Sequence, residues 1–178
     1  MRPPARRISL AFAAASVAVA LSYAARAEAP PAAKLTLSGM SYVLSRSGEV
    51  ALLVEAKRAE VSPHAGRIEL AGVRARVGAA AGARGDLGGF ELTCARGTLD
   101  LDAREFVALG GIDGRMRDGR TLRTERLRYR HERGAISGDA PVALRDHTGE
   151  YHGGGFEYWV RSDRFRLTGG ARISQGSP

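Results

Sequence analysis

The feature that most restricts the fold of this chain is a two-residue alternation of apolar and polar side chains, repeated from about Leu35 onward. Val50, Leu52, Val54 and Ala56 share one parity, with Glu55 and Lys57 on the other. Ile68 and Leu70 alternate with Arg67 and Glu69, Phe90, Leu92 and Cys94 with Glu91 and Thr93, and Leu99 and Leu101 with Asp100 and Asp102. Phe156, Tyr158 and Val160 share a parity, as do Phe165 and Leu167 against Arg164 and Arg166. A strand sends successive side chains to opposite faces, so these segments make antiparallel sheets with one apolar and one wet side. No convincing 3.6-residue period competes with this signal.

Glycines divide the runs. Gly48, Gly66, Gly97, Gly119, Gly134 and Gly149 are expected at turns, and Asp118-Gly119 has the chemistry of a hairpin turn. Between Leu122/Thr124 and Leu127/Tyr129 the apolar parity slips by one, which predicts a bulge or bend. A weak internal repeat, Leu70-Ala71-Gly72-Val73, Leu109-Gly110-Gly111-Ile112 and Leu167-Thr168-Gly169-Gly170, reads as the close of successive strands. Short strands at this spacing predict a sandwich, jelly roll or barrel. The Ala/Gly-rich stretch from Gly78 to Gly89 reads as a loop.

The N-terminus is built differently. Three arginines in residues 1–7 precede an uncharged run of 18 residues, Ile8–Ala25. That pattern directs the following chain across a membrane. Eighteen residues just span a bilayer core as a helix, but eight of them are alanine and contribute little transfer energy. Ala25-Arg26-Ala27 also has the small-x-small form of a signal cleavage site. Residues 1–27 are therefore either an anchor or a cleaved signal, and residues 28–37, with Pro30 and Pro31, read as a linker. A β-domain over 38–173 and a tail over 174–178 complete the organisation.

Charge excludes less than it first suggests. The 178 residues carry 27 Lys+Arg and 19 Asp+Glu, a net charge of +8, but four arginines lie in the acid-free residues 1–27. The remainder is 23 − 19 = +4, which does not require nucleic acid as a partner. One cysteine excludes an internal disulfide, and no zinc spacing, nucleophile elbow, Walker loop, GxGxxG or HExxH is present. The histidines at 64, 131, 147 and 152 read as solvated loop residues. Asp100 and Asp102 share a face, but flanked by Leu99 and Leu101 they read as the wet side of a strand. Cys94 falls on the apolar parity and reads as a packed, unreactive thiol. The dense arginines from Arg115 to Arg133, interleaved with Asp113, Asp118, Glu125 and Glu132, read as a solvated sheet face; phosphate or anionic lipid contact is the alternative. Nothing here predicts an enzyme, a metal site or a cofactor.

Several stretches, in order, resemble one family. They are Gly48-Glu49-Val50 through Ala56-Lys57-Arg58-Ala59-Glu60, Cys94-Ala95-Arg96-Gly97, Phe106-Val107-Ala108-Leu109-Gly110-Gly111 and Asp118 through Tyr129. Gly134-Ala135-Ile136-Ser137, Pro141-Val142-Ala143-Leu144, Gly153-Gly154-Gly155-Phe156-Glu157 and Phe165-Arg166-Leu167-Thr168-Gly169 continue the match. Over roughly residues 38–172 the chain resembles the LptC family, the periplasmic component of lipopolysaccharide export. The resemblance implies an all-β fold, a curled antiparallel β-jellyroll open along one side, preceded by one N-terminal apolar helix.

It also implies a single-pass inner-membrane protein with its domain in the periplasm. Its partners would be lipopolysaccharide, the inner-membrane ABC transporter that extracts it, and an LptA-like bridge protein. A soluble LptA-like bridge and a jellyroll carbohydrate-binding module are the alternatives. The expected trough residues are Val54, Leu70, Phe90, Leu92, Phe106, Leu122, Leu127, Tyr129, Val142, Leu144, Phe156 and Tyr158, though an ordinary closed core would bury the same set. Gly155 matches a glycine-bearing strand where a side chain would crowd the trough or a partner edge; Gly155→Arg is expected to block transfer or docking in a folded domain.

Overall fold

The structure is a computed structural model that describes residues 34–62, 66–78 and 89–174. The expected N-terminal apolar helix lies outside the described residues, as does nearly all of the Gly78–Gly89 stretch. Among the described residues ten strands run in chain order: β1 (Leu35–Arg46), β2 (Glu49–Ser62), β3 (Arg67–Val77), β4 (Phe90–Asp100), β5 (Glu105–Met116), β6 (Thr121–Arg130), β7 (Ala135–Gly138), β8 (Val142–Arg145), β9 (Glu150–Trp159) and β10 (Arg164–Ser174). They form one antiparallel sheet in the order β1-β2-β3-β4-β5-β6-β7-β9-β10, with β8 also between β6 and β9. The short β7 and β8 thus share one place in the ladder. β1 takes up residues 35–37, which the sequence leaves to the linker.

Local chemistry accounts for the connections. At Asp118-Gly119 the Gly119 amide donates to the Met116 carbonyl at 3.1 Å, closing the β5–β6 hairpin as expected. Gly97 differs from the expectation. It lies inside β4 and faces inward, where an added Cβ would stand 2.9 Å from the Phe106 ring. It makes room for an aromatic side chain rather than turning the chain.

A crease crosses the sheet at the middle of its strands. Glycines with positive φ stand at Gly39 in β1, Gly72 in β3, Gly110 and Gly111 in β5, and Gly169 and Gly170 in β10. The ladder brings them into a row. Gly39 and Gly72 both lie opposite Lys57, and Gly72 lies opposite Ala95 on its other side. The Gly111 amide donates to Oε2 of Glu125 in β6 at 3.0 Å. Register shifts fall at the same level in the β4–β5, β5–β6 and β9–β10 ladders.

Inward parity slips there as well: the buried pairs are Ala56 and Ala59, Leu70 and Val73, Cys94 and Gly97, and Thr124 and Leu127. Two successive residues turn outward at one level in each of these strands, so the sheet bends along a line across them. The repeat read as a series of strand ends is therefore a series of mid-strand kinks.

The bend brings the two halves of the sheet face to face. Phe90 in β4 and Tyr158 in β9 share no ladder, yet their ring centroids are 6.0 Å apart. Around them lies one continuous apolar core. The turn before β10 meets the β5–β6 turn across the fold, where Arg120 Nη2 lies 3.1 Å from Asp163 Oδ1.

Candidate functional site

All twelve expected trough residues come together in that core, each between 0% and 6% exposed. They include the aromatic set Phe90, Phe106, Tyr129, Phe156 and Tyr158. Phe165 extends it, stacked on Phe156 at 5.5 Å and tilted against Tyr158 at 6.1 Å. In the described structure the protein's own side chains fill the inside.

The inward row does not stop at the buried set. Leu37, Met40, Tyr42 and Leu44 of β1 and Phe165 and Leu167 of β10 are partly buried and pack against the core. β1 and β10 are the first and last strands of the sheet and do not pair with each other. The apolar lining therefore runs out to two free edges and is only partly buried at both. Strands lie about 4.8 Å apart, so the lining extends roughly 40 Å along the sheet. Sequence reasoning missed the β1 residues. Met40, Tyr42 and Leu44 do alternate, but Gly39 and the outward Val43 interrupt the pattern.

Gly155 is not at an edge. Its strand β9 is hydrogen-bonded to β7 and β8 on one side and to β10 on the other, with Gly155 opposite Thr168. A Cβ there would lie 2.6 Å from the Gly138 carbonyl oxygen and 2.8 Å from Thr168 Oγ1. The expectation that an arginine leaves the domain folded is corrected accordingly: it meets backbone before it reaches any partner.

Polar groups inside are few and mostly satisfied. The Tyr158 hydroxyl donates to Asp163 Oδ1 at 2.8 Å. Burial, then that carboxylate, raises its pKa well above the ordinary value, so the phenol stays protonated. Thr124 Oγ1 donates to the Pro141 carbonyl at 3.0 Å. Cys94 donates its thiol to the Arg96 carbonyl at 3.1 Å, and burial pushes its pKa up, as suits an unreactive thiol. His131 is a correction: it is buried rather than solvated, and its Nδ1 has no hydrogen-bond partner.

On the outside, the arginine-rich segment is laced to acids across strands. Arg123 meets Asp113 at 2.9 Å, and Glu105 receives Arg128 at 3.0 Å and Arg130 at 3.3 Å. Asp100 serves a turn, accepting from the Ala103 amide at 2.8 Å. Among the described residues no His/Cys/Asp/Glu group could hold a metal ion.

A creased antiparallel sheet, apolar from one free edge to the other, is a β-jellyroll of the open kind. The family model described as "Lipopolysaccharide-assembly, LptC-related" matches residues 9–175, and the chain belongs to that family. No curated protein matches the sequence. The fold is similar to the crystal structure of LptH, the LptA-homologous periplasmic component of the conserved lipopolysaccharide transport device from Pseudomonas aeruginosa. The TM-score is 0.55 over 71% of this chain and 95% of that chain, at 11% identity, a likeness of fold.

Proposed function

We propose that the protein is a component of lipopolysaccharide export. It receives the lipid after an inner-membrane ABC transporter has extracted it, and passes it to an LptA-like periplasmic bridge protein. The observation that carries this reading is the lining that continues from β1 to β10 and is only partly buried at each edge. A closed core has no reason to leave its last apolar row on two edge strands; a conduit does. Each buried methylene is worth about 0.8 kcal/mol, so a few acyl chains repay the parting of the protein's own side chains. Val54, Leu70, Phe90, Leu92, Phe106, Leu122, Leu127, Tyr129, Val142, Leu144, Phe156 and Tyr158 then form the walls. The free edges offer backbone groups for strand addition by a neighbouring jellyroll.

In this reading residues 1–27 hold the protein in the inner membrane, and the β-domain works in the periplasm without chemistry of its own. Among the described residues no helix is long and apolar enough to cross a membrane, and the proposed anchor lies outside them. Cleavage after Ala27 would make a soluble bridge instead, and N-terminal sequencing of the mature chain divides the two. The function itself is tested by incubating purified protein with lipopolysaccharide and separating the complex by gel filtration. Saturable co-elution that acyl-chain removal abolishes is expected. Retention of the deacylated saccharide alone would replace this reading with a carbohydrate-binding module.

A further inference from the structure

We infer that the mouth between the β1–β2 turn and the β6–β7 turn is a phosphate-binding site, formed by Arg46 and Arg161 above Tyr129. Resting on the function proposed above, it takes the phosphorylated headgroup of a lipid whose chains lie in the trough. The two turns face each other across the fold: an added Cβ on Gly134 would stand 3.7 Å from Arg46 Nη1. Between them is a pocket of about 230 Å³, lined by Arg46, Glu49, Tyr129, Gly134 and Arg161 among others. That is below the range of drug-sized ligands and suits a small headgroup. Its floor is continuous with the trough, because Tyr129 belongs to both.

Charge gives the site its sign. Among the described residues Arg46 and Arg161 form no ion pair, whereas Arg123, Arg128 and Arg130, three of the four arginines of β6, are matched to acids. Arg104 adds a third positive charge near His131, against single carboxylates at Glu49 and Glu132. Planar guanidinium forks match phosphate oxygens in pairs. His131, next to this cluster and 6.4 Å from the Tyr129 ring, is buried with Nδ1 unpartnered. An amphiphile with its chains in the trough must leave its headgroup at a mouth, and this mouth carries two arginines that form no ion pair among the described residues.

The test uses the full-length protein and the variant Arg46→Gln/Arg161→Gln, with Arg46→Lys/Arg161→Lys as the charge-conserving control. Binding of phosphorylated lipid A and of the same lipid stripped of phosphate is measured by fluorescence titration. The wild type and the lysine variant should prefer the phosphorylated lipid. The glutamine variant should lose about tenfold or more for it and nothing for the stripped lipid. Equal binding of phosphorylated lipid by wild type and glutamine variant overturns the site.

A second arm stands apart from the transport reading: inorganic phosphate is titrated while the His131 imidazole is followed by NMR. A saturable shift in wild type, absent in the glutamine variant, supports the site even if no lipid binds, and identifies free phosphate as its ligand. No shift at saturating phosphate, together with no lipid preference, overturns it. Failure to bind either lipid with the shift retained sinks the transport function alone.

Discussion

Phe90 and Tyr158 meet at a centroid distance of 6.0 Å although their strands never pair. The contact joins the halves of the sheet on either side of the crease, and both rings are 1% exposed. Phe90→Ala should therefore cost about 3–5 kcal/mol, the range for a buried aromatic truncated to alanine. Urea unfolding monitored by circular dichroism measures it. A loss below about 1 kcal/mol would mean that the halves are not packed through this pair.

Asp163 gathers two elements at the same end of the fold. It accepts from the Tyr158 hydroxyl and from Arg120, which also pairs with Asp118 in its own turn. Tyr158→Phe should lose about 1–2 kcal/mol, since a buried hydroxyl bonded to a carboxylate is removed. Arg120→Ala should cost less, under about 1 kcal/mol, because Asp163 is more than half exposed and the pair is screened. The order of the two losses in urea is the check.

The crease makes a comparative prediction about glycines. Gly111 has φ +58° and no atom within 4 Å of an added Cβ, so Gly111→Ala pays only for the left-handed backbone, about 1–2 kcal/mol. At Gly154 an added Cβ would lie 2.9 Å from the Gly169 carbonyl oxygen, backbone against backbone. Gly154→Ala should be the more damaging, and Gly155→Arg should prevent folding rather than leave a folded, inactive domain. Thermal melting of the three variants tests the ranking.

His131 sets a pH dependence. Burial first, then the positive charges of Arg46 and Arg104, lowers its pKa below the ordinary 6.5. The unfolded chain therefore binds its proton more readily, and stability falls as pH drops through 6.5 toward the lower folded value. Asp146 and Glu150, whose pKa values are lowered by hydrogen bonds to Thr148 and Arg145, act only below their ordinary 3.8 and 4.5. Melting temperature should decline between pH 7 and 5, and His131→Gln should flatten that decline. An unchanged slope in the variant would place the proton elsewhere.

Much of this was legible in the sequence because period-two alternation fixes which side chains face inward. The twelve residues it singled out are all buried, within a larger core that also holds Leu52, Val73, Ile112 and Ile136. The same rule revealed one parity slip, at Leu122–Tyr129, but not that the slip recurs in neighbouring strands. Lys57-Arg58, Ala71-Gly72 and Ala95-Arg96 become a line only once the register is set, and register is a long-range property. Gly97 misled because a glycine that yields space to Phe106 has the same local signature as a turn. Arg46, Tyr129 and Arg161 are remote in sequence and meet only when the sheet bends.

In the proposed function hydrocarbon occupies the inner face from edge to edge. Photo-crosslinking in cells tests it most directly, with benzoylphenylalanine placed singly at Leu44, Phe106, Tyr158 and Leu167, and at the outward Arg123 as control. Lipopolysaccharide adducts are expected at the four inward positions and none at Arg123. Adducts at Arg123 alone, or at no inward position in a folded, expressed protein, would contradict it.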